Sequence, residues 1–253
     1  MILRSIYNTA RQMNVLQKKQ ENSAANTANV NTPGFKYQEL VQRAMKEYEV
    51  KNHTGGLGNN EEQELGSINF GTEIDEAYTS FSQGVLKETG VASDFAINGD
   101  GFFEVQMQDG QIGYTRSGNF KIDNLQRLVT QEGFPVLGID NQNNVSSIRV
   151  ENDRLSIDNR GYINGTNQKM MTVDFADYST LELKGNSIYT TAQGATQLTD
   201  STISQGYLEG SNVNLLDEMV KMIEVSREFE SNQRTLKAID ETLQKTVNEI
   251  GRN

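Results

Sequence analysis

The residues that could carry out chemistry are few in this sequence. The chain contains one histidine, His53, and no cysteine. A Ser–His–Asp triad would depend on His53, and the sequence has no segment resembling the strand-to-helix turn that exposes a catalytic serine. A zinc site would have to use carboxylates almost alone, which is an unusual ligand set. We therefore predict that the protein is not an enzyme and has no catalytic, cofactor-binding or metal-binding residues.

Two segments have a partial likeness to ligand-binding motifs. The segment DNQNNV places Gln142 and Val145 where a calcium-binding EF-hand loop needs a ligand and a glycine. The GLG segment at residues 56–58 lacks the third glycine and the preceding strand of a dinucleotide-binding motif. Adjacent carboxylates such as Asp217 and Glu218 are expected to lie on a solvated helix surface. The sequence therefore favours a structural or binding protein.

Composition limits the possible partners and location. Only 35% of the 253 residues are hydrophobic, so the chain is expected to be elongated or to bury apolar groups against partners. The net charge of −11 argues against nucleic acid as a partner. No apolar run is long enough for a transmembrane helix, so we expect no integral membrane segment. The N-terminal sequence lacks the apolar region of a secretory signal, and any export would therefore use a route without signal cleavage.

Charge is distributed unevenly along the chain. Residues 1–50 contain seven basic and four acidic residues, a net charge of +3, so the remainder carries −14. We interpret the basic segment as a solvated helix face rather than an anchor to an anionic surface.

Hydrophobic periodicity predicts a long helix at each end of the chain. In residues 3–28, a half-polar stripe recurs at spacings of three and four. Its members are Ile6, Ala10, Met13, Gln17, Gln20, Ala24 and Thr27. Residues 213–251 show a second pattern with a period near 3.5 and are predicted to form one helix of roughly 57 Å. This helix could form a coiled-coil dimer or pair with the other terminal helix.

The middle of the chain has the pattern of a β domain. From Asp94 to about Ile203, short runs of Phe, Tyr, Val and Ile alternate with turn signals such as Asn98-Gly99 and Asp109-Gly110. Residues 50–67 are rich in glycine and asparagine and are predicted to form a loop. The predicted fold class is α+β, with a central antiparallel β-rich domain. The predicted divisions are an N-terminal helix with exit turn (1–36), an extended linker (37–93), the β domain (94–204) and the C-terminal helix (205–253).

The first helix is predicted to end in the polar segment ANTANVNTPGFK, residues 25–36. Asn29 and Asn31 tolerate the left-handed backbone conformation and are expected to cap carbonyl groups at the helix end. Pro33 and Gly34 suit the two central positions of a type II turn. Phe35 is expected to anchor the segment that follows.

This segment resembles the N-terminal signature of the flagellar basal-body rod and hook proteins. The matching residues are Asn26, Ala28, Asn29, Asn31, Thr32, Gly34, Phe35 and Lys36, whereas Ala25 and Thr27 depart from the signature. The run from Gly99 to Gly138 is similar to the middle block of that family. The run from Gln205 to Lys245, in which SNVN precedes the last helix, is similar to the C-terminal block. The single middle domain matches the rod proteins, since hook proteins have larger insertions.

The resemblance implies a fold and a function. The terminal helices would pair as an antiparallel coiled coil, and many copies would stack helically into a hollow drive shaft that transmits motor torque to the hook. The implied partners are further copies of the chain, other flagellar rod and hook proteins, and the flagellar type III export apparatus. The implied location is the flagellar basal body in the cell envelope, reached without signal cleavage. The chain would let exported subunits pass through the channel.

The resemblance also implies which residues take part in subunit packing. They lie in the N-terminal signature, in SNVN and along the last helix. The expected set is Asn26, Asn29, Asn31, Thr32, Gly34, Phe35, Lys36, Ser211, Asn212, Val213, Asn214, Leu216, Met219, Ile223, Phe229, Leu236 and Leu243.

Two alternative functions remain at this point. One is a cell-wall or glycan-binding β module on a coiled-coil stalk, although the chain has no tryptophan for stacking on sugars. The other is a hook-type axial protein. For a rod subunit, the thin apolar stripes lead to the hypothesis that the terminal helices fold only when neighbouring subunits supply the missing contacts.

Overall fold

The computed structural model describes residues 2–54, 61–150, 155–158, 160–197 and 202–250. The chain divides into two compact units. The first, called here the helical unit, comprises residues 1–27, 38–78 and 215–253. The second, called the β unit, comprises residues 28–37 and 79–214.

Helix α1 spans Ile2–Ala28, as the periodicity predicted. It contains no glycine or proline and is rich in residues with good helix propensity. The buried face of α1 is not the stripe that the sequence predicted. Val15, Leu16, Ser23 and Asn26 are buried, whereas Ala10, Gln17, Gln20 and Ala24 of the stripe are exposed. The covered face was missed because half of it is polar.

Strands of the helical unit occupy the segment that was expected to be linker and loop. Strand β1 (Gln38–Ala44) pairs with β4 (Thr72–Thr79). Between them, β2 (Tyr48–Thr54) and β3 (Glu61–Ile68) form an antiparallel hairpin with a bulge near Val50. The loop prediction for residues 50–67 was therefore wrong for both strands, while residues 55–60 lie outside the described residues. The loop prediction failed because neither strand shows an alternation of apolar and polar residues.

Helix α2 spans Leu215–Ile250 and confirms the long C-terminal helix. Asp217 and Glu218 occupy its first turn, where negative charge is favourable next to the helix dipole. Side-chain hydrogen bonds join the two helices. Gln12 Nε2 donates to Glu228 Oε1 at 3.3 Å, and Asn26 Nδ2 donates to Glu218 Oε2 at 3.3 Å. Because residue numbers rise on α1 as they fall on α2, the two helices run in opposite directions at these contacts.

The β unit is built from short strands and confirms the antiparallel β prediction. The strands are β5 (Leu86–Glu88), β6 (Phe95–Asn98), β7 (Phe102–Gln106), β8 (Ile112–Thr115), β9 (Lys121–Ile122), β10 (Leu128–Val129), β11 (Leu137–Asp140), β12 (Val145–Ser147), β13 (Gln168–Met170), β14 (Thr172–Asp174), β15 (Glu182–Gly185), β16 (Ile188–Thr190), β17 (Thr196–Gln197), β18 (Thr202–Gln205) and β19 (Tyr207–Glu209). The largest sheet has six strands in the order β15-β16-β8-β7-β14-β17. The other strands form two- and three-stranded sheets.

Strand β7 contributes to two apolar cores because its successive side chains point to opposite faces of the sheet. Phe103 and Val105 pack into the larger core, together with Phe95 and Ile203. Phe102 packs into the smaller core, which is mainly aromatic. The unit therefore has an interior of its own.

The last two strands bring the C-terminal part of the β unit back to its beginning. Strand β18 pairs antiparallel with β6, and β19 pairs antiparallel with β5. Glu209, the final residue of β19, is thereby placed opposite Leu86. This pairing positions the candidate site described next.

Candidate functional site: two polar junctions

The exit turn follows α1 and has the predicted geometry. The Phe35 N–H donates to the Thr32 carbonyl oxygen at 3.3 Å, and Gly34 has φ of 69°. A positive φ at the third position fits the type II turn that Pro33 and Gly34 predicted. A Cβ added at Gly34 would lie 2.3 Å from the Ser117 nitrogen, so only glycine fits here. Phe35 is buried, as expected for an anchor.

The two asparagines before the turn do not adopt the left-handed conformation that their residue type tolerates. Neither Asn29 nor Asn31 is among the described non-glycine residues with positive φ. Instead, Asn29 accepts two hydrogen bonds from Thr32: its carbonyl oxygen from the N–H at 3.1 Å, and its Oδ1 from the hydroxyl at 3.1 Å. Thr32 therefore closes the turn that ends the helix, whereas Asn31 is exposed.

Lys36, directly after the turn, forms the centre of the first junction. Its Nζ lies 2.7 Å from Glu209 Oε1 and donates to the carbonyl oxygen of Ser82 at 2.8 Å. Arg116 Nη1 lies 3.1 Å from Glu209 Oε2. The side chains of Lys36, Arg116 and Glu209 expose 1, 3 and 0% of their surface. We call these three residues the buried charge triad.

The triad places one carboxylate between two cations. Burial lowers the pKa of the Lys36 ammonium, and the Glu209 carboxylate acts in the opposite direction. The Arg116 guanidinium also lies over the Phe102 ring, 5.5 Å from its centroid. Because both cations depend on Glu209, loss of the carboxylate would leave two buried positive charges, whereas loss of either cation would leave one pair intact.

Glu209 and Arg116 were not predicted from the sequence. They lie 173 and 80 residues from Lys36 along the chain, and no local pattern connects such distant positions. One sequence feature could have indicated them: Lys36, Arg116 and Glu209 each lie in a different one of the three blocks that resemble the rod and hook family. The structure brings one charged residue from each block together.

Asn212 of the SNVN segment completes the first junction. Its Oδ1 accepts from the Tyr37 N–H at 2.7 Å, and its Nδ2 donates to the carbonyl oxygens of Ser80 and Ser82 at 2.8 and 3.0 Å. The amide thus joins three chain segments of the β unit. The other members of SNVN differ in exposure: Ser211 is half-buried, Val213 is buried and Asn214 is exposed.

A second junction lies within the helical unit and centres on Asn26. Its Nδ2 donates to the Gln38 carbonyl oxygen at 2.8 Å, and its Oδ1 accepts from the Gln38 N–H at 3.2 Å. The same Nδ2 lies 3.3 Å from Glu218 Oε2. Glu218 is 2% exposed, so its expected place on a solvated surface was wrong. The reason is that Glu218 faces α1. Its Oε1 also lies 3.4 Å from Nζ of Lys221, one turn further along α2.

The predicted packing residues of α2 are mostly uncovered within the chain. Leu216, Met219 and Ile223 expose 72, 51 and 53% of their surface. Phe229, Leu236 and Leu243 are half-buried. The apolar stripe of α2 therefore faces solvent in the single chain over its first two turns.

The described part of the chain shows neither a metal-binding cluster nor a membrane-spanning helix. Within the described ranges, no group of three or more His, Cys, Asp or Glu residues is arranged to hold a metal ion. The side chain of His53 lies outside those that the structure describes. No helix in the described part of the chain is long and apolar enough to cross a membrane.

Comparison with protein-family models gives two matches. A model described as the flagellar basal body rod FlgEFG protein C-terminal region matches residues 204–249, which include β19, SNVN and most of α2. A model described as the flagellar hook protein FlgE/F/G D1 domain matches residues 96–165 of the β unit. Both polar junctions include a residue from the first match.

Comparison with curated proteins gives relatives over nearly the whole chain. The flagellar basal-body rod protein FlgG of Bacillus subtilis is 34% identical over 98% of this chain and 99% of its own. FlgG of Buchnera aphidicola subsp. Schizaphis graminum is 32% identical over 87% of this chain and 89% of its own. The rod protein FlgF of Caulobacter vibrioides is 33% identical over 96% of each. None of these names indicates a glycan-binding module.

Proposed function

Because the chain belongs to the flagellar basal-body rod protein family of FlgG and FlgF type, and is a structural subunit of the basal-body rod, we propose that it acts by polymerising helically with itself. The polymer would be the hollow shaft that transmits motor torque to the hook and lets exported subunits pass. The basal body is the location that the relatives support.

The observation that carries this proposal is the exposure of the terminal helices. Val15 and Leu16 are the only apolar residues buried in the described part of the helical unit. At the same time α2 exposes large apolar side chains over its first turns, including Leu216 and Val220. Apolar surface of this kind is stabilised when a neighbouring molecule covers it.

The two helices are proposed to pair as an antiparallel coiled coil within each subunit. Support comes from the opposite directions of α1 and α2 at the Gln12–Glu228 and Asn26–Glu218 hydrogen bonds. The remaining face of each helix would then contact neighbouring copies. Of the residues expected in subunit packing, we assign this role to Leu216, Met219, Ile223, Phe229, Leu236 and Leu243.

The signature residues are proposed to act differently, by fixing the path of the chain inside the subunit. Asn26 fixes the backbone of Gln38, and Lys36 and Asn212 fix the backbone around Ser82. A subunit that transmits torque needs rigid connections, and buried, fully hydrogen-bonded polar groups hold a unique geometry. The proposed inner helical layer consists of α1 (Ile2–Ala28) and α2 (Leu215–Ile250).

The further partners are proposed to be other rod and hook proteins and the flagellar type III export apparatus. Export without a cleaved signal would suit a chain that has no cysteine to cross-link during transit. We propose no enzymatic role, since the relatives are named as flagellar basal-body rod proteins.

Negative-stain electron microscopy of the concentrated, purified chain tests the central proposal. Tubes or rods of helically arranged subunits are expected. Discrete small oligomers over the whole concentration range would contradict helical self-assembly and would favour a different role in the basal body.

A further inference from the structure

The helical unit contains a groove between α1 and β4 of about 550 Å³. Tyr7, Ala10, Val15 and Ile74 give it an apolar floor and wall. Ala10 is exposed, and its small side chain leaves room for a larger group to enter. We call this feature the α1 groove.

Basic side chains border the α1 groove. Arg11 and Lys18 line it, and Lys18 is exposed. The one acidic residue that lines the groove is Glu73. Glu73 forms an ion pair with Arg43, whose Nε lies 3.1 Å from Glu73 Oε1. The groove therefore has an apolar interior and a basic rim.

The start of α2 has the complementary shape and charge. Leu216, Met219, Val220 and Ile223 occupy positions i, i+3, i+4 and i+7, so they form one raised apolar row on the helix. Each is more than half exposed. We call this row the α2 ridge. It is about 10 Å long, at 1.5 Å per residue, and the segment of α1 along the groove is about 16 Å long.

The charges beside the α2 ridge are acidic. Asp217 and Glu224 are exposed on the same turns, whereas the basic Lys221 lies 3.4 Å from the buried Glu218. The two whole helices show the same contrast. Helix α1 has four basic residues and one acidic residue, and α2 has eight acidic and five basic residues, so their net charges are +3 and −3.

We infer that the α2 ridge of one copy of this chain docks into the α1 groove of a second copy, with Lys18 of the groove near Glu224 of the ridge. The inference rests on the proposed self-assembly and names the surfaces that produce it. The contact is heterologous, because two different patches meet. The copy that contributes its ridge keeps a free groove, and the copy that contributes its groove keeps a free ridge. Repeating such a contact without closure of the rotation produces the open helical polymer that is proposed above.

Within one chain the ridge cannot reach the groove. Gln12 lies against Glu228 of the same chain, and Val220 precedes Glu228 by eight residues, or about 12 Å along α2. A disulfide requires Cα atoms within about 7 Å. The chain has no native cysteine, so a disulfide between engineered cysteines at positions 10 and 220 would report contact between copies only.

The first test oxidises the full-length variant Ala10→Cys/Val220→Cys under conditions in which microscopy shows assembly. A ladder of cross-linked multimers is expected on a non-reducing gel, since every copy carries both halves of the contact. The matched control is Ala10→Cys/Ala238→Cys, whose second cysteine is also exposed on α2 but lies outside the ridge. Assembly without a ladder, or equal ladders in both variants, would overturn the inference while leaving self-assembly intact. Absence of any assembly would contradict self-assembly as well.

The second test exchanges the rim charges. Lys18→Glu is expected to raise the concentration needed for assembly by about fivefold, as for one exposed ion pair turned into a repulsion. Lys18→Glu/Glu224→Lys is expected to restore the original value. Lys237→Glu makes the same net charge change on α2, outside the ridge and the groove, and should leave the value unchanged. Equal effects of Lys18→Glu and Lys237→Glu, with no recovery in the double variant, would contradict the pairing of Lys18 with Glu224.

Discussion

The two units of this protein differ in where their stability comes from. Among the described residues, 28 apolar side chains are buried, and all except Val15 and Leu16 belong to the β unit. The β unit encloses two apolar cores, whereas the helical unit combines two long helices with the β2–β3 hairpin and the β1–β4 strand pair. One unit therefore has an interior of its own, and the other has surfaces suited to contacts with neighbours.

The same contrast is seen in the polar junctions. The charge triad of the β unit is almost completely removed from solvent, so its charges depend on one another. The Asn26 junction of the helical unit is a set of hydrogen bonds from one amide, whose individual net contributions are modest. We therefore expect substitutions in the first to have larger effects on the free chain than substitutions in the second.

The largest expected effect is that of Glu209→Gln in the β unit. This substitution leaves the charges of Lys36 and Arg116 buried without a carboxylate, which costs about 3–5 kcal/mol of unfolding free energy. Lys36→Met and Arg116→Met should each cost less, because one ion pair remains. Denaturant unfolding followed by the near-ultraviolet circular dichroism of the tyrosines measures all three.

The exposed Glu182→Gln substitution, on the edge strand β15, is the control for Glu209→Gln and should change the free energy by less than about 0.5 kcal/mol. If Glu209→Gln lowered the free energy of unfolding by no more than Lys36→Met does, Glu209 would not be the residue on which both cations depend.

A pH-dependent effect is expected at Glu104, which also lies in the β unit. Burial raises the pKa of this carboxyl to about 7, and Glu104 is 3% exposed. The folded-state pKa exceeds the unfolded value of 4.5, so the favourable contribution of the protonated form is complete below pH 4.5 and is lost as the pH rises through 7. Glu104→Gln should therefore stabilise the protein at pH 8 by about 3 kcal/mol.

The same Glu104→Gln substitution should have little effect at pH 4.5, where the native carboxyl is already neutral. Unfolding free energies at the two pH values provide the comparison. A stabilisation of equal size at both values would show that the cause is packing rather than charge.

A smaller effect is expected from Asn26→Ala in the helical unit. The change removes the amide that bonds both backbone groups of Gln38 and leaves Glu218 without that donor, at a cost of about 1–2 kcal/mol. Amide hydrogen exchange in α1 and β1 should become faster, while exchange in the β unit should not change. Asn14→Ala, at an exposed position of α1, is the matched control.

The smallest effect on the free chain is expected from Ile223→Ser. This side chain is 53% exposed on α2, so the unfolding free energy should change by less than about 0.5 kcal/mol. Assembly should nevertheless require a higher concentration, since the contact between copies loses apolar area. If Ile223→Ser clearly lowered the unfolding free energy of the free chain but left assembly unchanged, Ile223 would stabilise the single chain rather than contacts between copies.

Local signals in the sequence account for the parts of the fold that were predicted. Pro33-Gly34 predicts its turn because proline fixes its own φ at about −65° and glycine tolerates the positive φ that the next position requires. The two helices are long enough for periodicity to show, and the glycine-containing turn dipeptides mark the strands of the β unit.

The features that were missed depend on contacts between distant residues. Glu209 accepts a hydrogen bond from Arg116, which lies 93 positions earlier in the sequence. The pairing of β19 with β5 positions Glu209 for this contact. The hairpin of β2 and β3 shows no alternating pattern. The covered face of α1 was missed because Ser23 and Asn26 provide half of it, so the apolar signal indicated a different face.

Amide hydrogen exchange with peptide resolution, on the free chain and on assemblies, tests the account most directly. If neighbours supply the contacts that the helical unit lacks, peptides of α1 and α2 should exchange rapidly in the free chain and become protected on assembly, while peptides of the β unit stay protected in both. Strong protection of α1 and α2 in the free chain, equal to that of the β unit, would contradict the account.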